Sequence, residues 1–121
     1  VQGGVTGFDF NPTVDRIRVV SASAQNLRLH PETNAVVDGN AADPGVQPDG
    51  ALRYAPDDRH AGRRPDVAGV AYTYNKKDEK LTTNYAIDRA LGALLMQGSL
   101  EGAQPVVSPN TGLLRTVGLL G

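Results

Sequence analysis

The sequence predicts an all-β protein built from two four-stranded antiparallel meanders. Apolar and polar residues alternate with a period of two in short runs, as in Arg16-Ile17-Arg18-Val19, and this pattern is typical of strands with one buried face. The chain has 14 glycines and 8 prolines among 121 residues, which predicts many turns. The pattern of residues 7–37 also recurs after residue 66, as expected for a repeat architecture.

The first meander contains the densest alternation. Phe8 and Phe10 flank Asp9, so both rings are expected on one face of a strand that Asn11-Pro12 ends. Asn34 is expected to close a turn in the left-handed conformation. The four predicted strands are residues 5–10, 16–20, 26–30 and 35–37. The residues predicted to be buried are Phe8, Phe10, Ile17, Val19, Leu27 and Leu29.

A long polar stretch separates the two meanders. Residues 39–66 are dense in Asp, Gly and Pro and carry both signs of charge. Within this stretch, residues 51–55 are the one segment with apolar character suited to ordered structure. We therefore predict that residues 43–64 are largely exposed and contribute little to stability.

The second meander repeats the first. Gly69-Val70-Ala71-Tyr72 corresponds to Gly7-Phe8-Asp9-Phe10, and Pro109-Asn110-Thr111-Gly112 corresponds to Pro31-Glu32-Thr33-Asn34. Residues 93–97 have good helix propensity, but we predict a strand because residues 88–92 have the composition of a tight turn. The predicted organisation is a single β-repeat domain over residues 1–121. It has a first unit at about 5–38, a polar loop at 39–66 and a second unit at about 67–121.

Composition excludes several classes of function. The formal net charge is −1, so the chain lacks the basic excess of a nucleic-acid-binding domain. No apolar run approaches the ~18 residues needed to span a membrane. The absence of cysteine excludes disulfides and thiol catalysis. Because the first residue is Val1 and no signal peptide is visible, we expect a processed or excised product.

Several segments resemble one known family. The string FDFNPTVDRIRVVS, followed by QNLRLHPETNAVV, carries the closest likeness, and DGALRYAPDDRHAG, GVAYTYN, YAID and SPNTGLLRTVGLLG extend it over most of the chain. These motifs resemble the bacterial exported family of domains of unknown function DUF4394. The resemblance implies a β-propeller-like fold and export, and it implies no assigned activity. Asn34 stands where the family usually has glycine, and this chain is shorter than the family's full domain.

On this resemblance, the two meanders are two blades of a β-propeller-like repeat. Two blades cannot close a ring, because propellers use about 4–8. We therefore expect a partial propeller or one assembled from several chains. The expected partners are further copies, in a homo-oligomer or filament, or the remainder of a longer parent chain. The expected location is extracellular, periplasmic or at the cell surface.

Charged and amide side chains of the first meander are the candidate binding residues. An Asp–Arg pair here has a structural interpretation, in which bidentate hydrogen bonds hold the strands. It also has a functional one, in which the arginines clamp a carboxylate or a sugar. The candidates are Asp9, Asp15, Arg16, Arg18, Asn26 and Arg28.

We expect no cofactor, and the alternative is a bound calcium ion. Asp38, Asn40 and Asp43 offer hard oxygen ligands, although they do not match the EF-hand pattern. His30 and His60 show no zinc-ligand spacing, and we expect a strand end for the first and a solvated loop for the second.

We therefore expect a non-catalytic exported module, structural or binding, that assembles with itself or with a surface partner. One alternative is an enzyme acting on a polysaccharide through Asp9, Asp15 and the nearby arginines. Another alternative is a calcium-stabilised adhesive module. No catalytic residue is assigned.

Overall fold

The computed structural model describes residues 1–4 and 6–121. The predicted all-β class is confirmed, since no α-helix occurs within these residues and the one short helical turn is a 3₁₀ turn at Pro109–Thr111. No helix in the described part of the chain is long and apolar enough to cross a membrane. The strands are β1 (Thr6–Asn11), β2 (Arg16–Ser21), β3 (Asn26–Leu29), β4 (Arg53–Tyr54), β5 (Val67–Tyr72), β6 (Asn84–Asp88), β7 (Ala93–Gln97) and β8 (Leu113–Leu119). Val5, where the first strand was predicted to begin, lies outside the described residues.

The first sheet has three strands in the order β1-β2-β3, all antiparallel. The predicted fourth strand is wrong, because residues 35–37 contribute only a single bridge between Leu29 and Val36. Asn34 is left-handed as predicted, with φ 59°. Strand pairing stops after Val36 because the chain then forms a separate loop. In this loop Asp38 accepts hydrogen bonds from the backbone N–H groups of Asn40 and Gln47.

The second sheet has five strands in the order β4-β8-β7-β6-β5. The four predicted antiparallel strands β5 to β8 are confirmed, and β7 is a strand rather than a helix. The turn before β7 contains Gly92 at φ 59°, a conformation that favours glycine. The sequence did not predict β4, which comes from the polar stretch and pairs in parallel with β8.

The two sheets stack face to face and share one core. Gly7 on β1 permits the close approach, because a Cβ there would lie 2.6 Å from the backbone nitrogen of Val70 on β5. Val20 is the residue of the first sheet that enters this core. The remaining buried members are Leu52, Tyr54, Val67, Ala86, Ala93, Leu95 and Leu114.

Burial on the first sheet departs from prediction at the two phenylalanines. Ile17, Val19 and Leu27 are buried as predicted, and Leu29 is half-buried. Phe8 and Phe10 are 56% and 54% exposed, so the prediction that they are buried is wrong. Their strand face points away from the second sheet. The two rings contact each other edge to face at 5.9 Å.

The polar stretch is ordered at residues 51–55, the segment expected to be ordered, and also at Asp49, where order was not expected. Asp49, Leu52, Tyr54 and Ala55 are buried, and two of them belong to the shared core. The prediction that residues 43–64 are largely exposed and add little stability is therefore wrong for this segment. Most of residues 41–48 are exposed, as expected.

A buried carboxylate links the polar stretch to the second sheet and predicts a pH dependence. Asp88 Oδ2 accepts the Tyr54 hydroxyl at 2.6 Å and the Asp66 N–H, while its Oδ1 accepts the Leu91 N–H. Burial alone would raise the pKa of Asp88. These hydrogen bonds outweigh burial and hold the pKa below its ordinary value of 3.8.

Because the folded-state pKa of Asp88 is the lower one, its contribution is fully present above the unfolded value and is lost as pH falls through the folded value. We expect the free energy of unfolding in urea titrations to fall once the pH drops below about 5, and to go on falling as the pH passes through the folded-state pKa. In Asp88→Asn, which cannot ionise at this position, the drop should be smaller. An equal drop in both proteins would contradict this origin.

Candidate functional site: a polar cleft beside Arg18, Arg28 and Asp49

The site begins with the alternation of β2. Ile17 and Val19 occupy one face, so Arg18 points to the other, toward the second sheet, and is only 2% exposed. A buried guanidinium requires a counter-charge. Asp49 supplies it, with Oδ2 2.7 Å from Arg18 Nη1.

Arg28 binds the same carboxylate from the neighbouring strand β3. Its Nε and Nη2 each donate to one oxygen of Asp49 at 2.8 Å, which is the bidentate geometry. The hydrogen bonds to Asp49 raise the pKa of Arg28, against the opposing effect of burial. One carboxylate therefore accepts from two guanidinium groups, and the trio carries a formal net positive charge.

Amide side chains complete the network. Asn26 Oδ1 accepts from Arg18 at 2.9 Å and from Gln97 of β7 at 3.1 Å. Asn26 Nδ2 donates to the backbone carbonyls of Gly50 and Pro109. Arg18 also donates to Asn110 Oδ1 and to the Tyr72 hydroxyl. The network thus joins both sheets, the polar stretch and the 3₁₀ turn.

The outer side of this network borders a cleft of about 360 Å³. Arg18, Arg28 and Lys80 supply cationic groups to its lining, and Glu101 is the carboxylate residue there. Tyr72 and Asn110 add a hydroxyl and an amide. Such a lining suits a ligand rich in hydroxyl or carboxylate groups.

The structure brings three of the six predicted binding residues together. Arg18, Asn26 and Arg28 meet in the network, as described above. Asp9 does not join them, since its carboxylate accepts the Tyr72 backbone N–H at 2.7 Å and that of Phe10. Asp9 therefore connects β1 to β5.

Asp15 and Arg16 occupy a different place, the turn between β1 and β2. They line a separate shallow depression with His30 and Glu32. The Arg16 guanidinium donates to the Asp15 backbone carbonyl. The predicted Asp–Arg pair of the strands exists, but the carboxylate is that of Asp49. Sequence reasoning missed Asp49, although it opens the family-like string DGALRYAPDDRHAG.

The predicted calcium ligands form a small hydrogen-bonded loop. Asn40 Nδ2 donates to Asp43 Oδ2 at 2.7 Å, and Asp38 Oδ1 accepts two backbone N–H groups. These backbone hydrogen bonds lower the pKa of the Asp38 carboxyl. Within residues 1–4 and 6–121, no group of three or more His, Cys, Asp or Glu side chains could hold a metal ion. Calcium binding by Asp38, Asn40 and Asp43 remains a prediction.

The two histidines lie apart from the cleft. His30 follows β3 beside Asp15, at the strand end where it was expected. His60 was expected to be solvated, but it is half-buried, with Nδ1 2.8 Å from Thr116 Oγ1 and 3.7 Å from Asp58 Oδ2. It connects the polar stretch to β8.

Fold and site together define an all-β protein of two stacked, sequence-related sheets joined by a buried arginine–carboxylate network. The chain belongs to the family described as "Domain of unknown function (DUF4394)", whose profile matches residues 1–121. Comparison with curated proteins and with solved structures gave no match.

Proposed function

We propose that this chain is a non-catalytic structural or binding module that assembles with itself or with a surface partner outside the cytoplasm. The observation that carries the proposal is the exposed aromatic side of the first sheet. Phe8 and Phe10 leave more than half of their side-chain surface in solvent, beside the buried Ile17 and Val19. A contiguous apolar patch of this kind is typical of an interaction surface.

We extend the proposal to a β-propeller-like arrangement of the two sheets and to export of the protein. Two observations support the propeller-like arrangement. Strands β1 and β5 are related in sequence, and the two sheets stack face to face around Val20. Export rests on the resemblance of the sequence motifs to an exported family. In this arrangement the open side of each sheet is a position for a neighbouring blade.

Mass in solution tests the assembly. We expect light scattering coupled to size-exclusion chromatography to give a multiple of the single-chain mass of 12.7 kDa, rising with concentration. Burial of the exposed phenylalanines is the driving force. A constant 12.7 kDa over the accessible concentration range would contradict self-assembly. A monomer that binds the bacterial surface would leave only the surface-partner form of the proposal.

A second candidate function is binding of an acidic or hydroxyl-rich polysaccharide in the cleft. The cationic groups of Arg28 and Lys80 in the cleft lining favour it. The structure favours binding over hydrolysis, because Asp9 is engaged by backbone amides and Asp15 lies in another depression. A calcium-stabilised adhesive role for the 38–43 loop is a third hypothesis.

A further inference from the structure

Each sheet has one face toward the shared core and one face turned away from it. On the first sheet the outward face holds a small buried cluster of Ile17, Val19 and Leu27 beside the two exposed phenylalanines, and we call it the aromatic face. Cross-strand pairing places Phe8 opposite Val19 and Phe10 opposite Ile17, so these side chains share that face. The aromatic face consists of Phe8, Phe10, Ile17, Val19, Leu27 and Leu29.

On the second sheet the outward face carries small residues on β5, and we call it the glycine face. Pairing places Gly69 opposite Ile87 and Ala71 opposite Tyr85. The two small residues leave an apolar depression of about 220 Å³ beside Leu94. The glycine face consists of Gly69, Ala71, Tyr85, Ile87, Leu94 and Met96.

The internal interface shows how two such faces fit. Gly7 precedes Phe8 in β1 as Gly69 precedes Val70 in β5, and these strands correspond in the repeat. Gly7 lies against the backbone of Val70, where an added Cβ would clash at 2.6 Å. At Gly69 the same Cβ would meet only Ile87 Cδ1, at 4.0 Å. The second sheet therefore repeats, on its outward face, the glycine that lets the first sheet pack closely.

The aromatic face corresponds in the same way to the packed face of the second sheet. Phe8 is equivalent to Val70, and Val19 is equivalent to Ala86, because Phe8 pairs with Val19 as Val70 pairs with Ala86. A glycine face laid on an aromatic face would repeat the sheet stacking already present in the chain. The twelve positions are uncharged, and Arg115 of β8, opposite Met96 and paired with Asp57, borders the glycine face.

We propose that the glycine face of one copy packs on the aromatic face of a second copy of this chain. This inference rests on the proposed self-assembly and names its surfaces. A second copy is the occupant because the contact continues the internal sheet-on-sheet interface, with Gly69 in the position of Gly7 and Phe8 in the position of Val70. The contact joins two different faces, so each added copy leaves one face of each kind free. Assembly then proceeds to a closed ring or to a filament.

Two variants block one face each. Gly69→Val adds bulk where the folded single chain has open space. The double variant Phe8→Ser, Phe10→Ser removes the two exposed rings. We expect each variant alone to associate about tenfold more weakly or worse, as for loss of a central interface contact. Circular dichroism checks that both variants remain folded. If the double variant does not fold, Gly69→Val alone still tests whether the glycine face is needed for association.

Mixing the two variants is the decisive measurement. Each variant keeps the face that the other has lost, so we expect the mixture to form a one-to-one heterodimer that does not grow further. Tyr74→Ser and Ala41→Val alter exposed side chains outside both faces and should associate like the unchanged chain. If the unchanged chain assembles and Gly69→Val assembles equally well, this interface is wrong while self-assembly stands. If each blocked variant stays monomeric and the mixture does too, a head-to-tail contact is excluded. If the unchanged chain never assembles, this inference fails together with the self-assembly form of the proposed function.

Discussion

Replacing Asp49 with alanine is expected to lower the free energy of unfolding by about 3–5 kcal/mol, as for other buried ion pairs that lose one partner. Asp49 is the carboxylate between Arg18 and Arg28, and its side chain is 1% exposed. Without it, the buried Arg18 guanidinium has no counter-charge in its hydrogen-bonded network. The loss should appear as a lower urea midpoint with an unchanged slope.

The matched control lies in the same polar stretch. Asp43 is exposed and accepts one hydrogen bond from Asn40, so Asp43→Ala should change stability by no more than about 0.5 kcal/mol. If Asp49→Ala were as mild as Asp43→Ala, the network would contribute little to the fold. Water or the cleft's other groups would then have to satisfy Arg18.

Replacing Leu95 with alanine is expected to cost about 2–5 kcal/mol, the range for truncating a buried leucine. Leu95 is 0% exposed in the central strand β7, opposite Ala86 on β6. Its cluster includes Val20 of the first sheet and Leu52 of the polar stretch. The cavity would therefore weaken the packing of both sheets.

Thermal or urea unfolding of Leu95→Ala measures this effect. Leu100→Ala is the control of the same chemistry, because Leu100 is 50% exposed in the loop after β7, and it should cost less than about 1 kcal/mol. Two separate unfolding transitions in Leu95→Ala would contradict a single shared core.

Much of the secondary structure could be predicted from the sequence, because strand alternation and turn residues are local signals. β7 is the clearest example. The run Ala93 to Gln97 has helix propensity, but the turn before it at Gly92 indicated a strand. β4 could not be predicted, because only two residues pair and their partner, β8, lies about 60 residues away.

Part of the candidate site could also be predicted, because it depends on the local alternation of strand residues. Arg18, Asn26 and Arg28 lie on one face of adjacent strands, and their spacing placed them together. Their carboxylate partner could not be derived from spacing, since Asp49 reaches them from a loop 31 residues after Arg18. Asp9 and Asp15, nearer in sequence, are engaged elsewhere.

The sequence by itself determined which residues share a strand face: the period of two puts Phe8 with Phe10, and Ile17 with Val19. Only the tertiary structure decided which face is inside. The face carrying Gly7, Arg18 and Val20 packs on the second sheet. Gly7 allows the backbones to approach, and Asp49 with the facing amides satisfies the buried guanidinium. An apolar face is stabilised by any contact that excludes water, whereas a buried arginine requires specific hydrogen-bond and charge partners. The chain contains those partners for its polar face, and it leaves Phe8 and Phe10 of the aromatic face exposed.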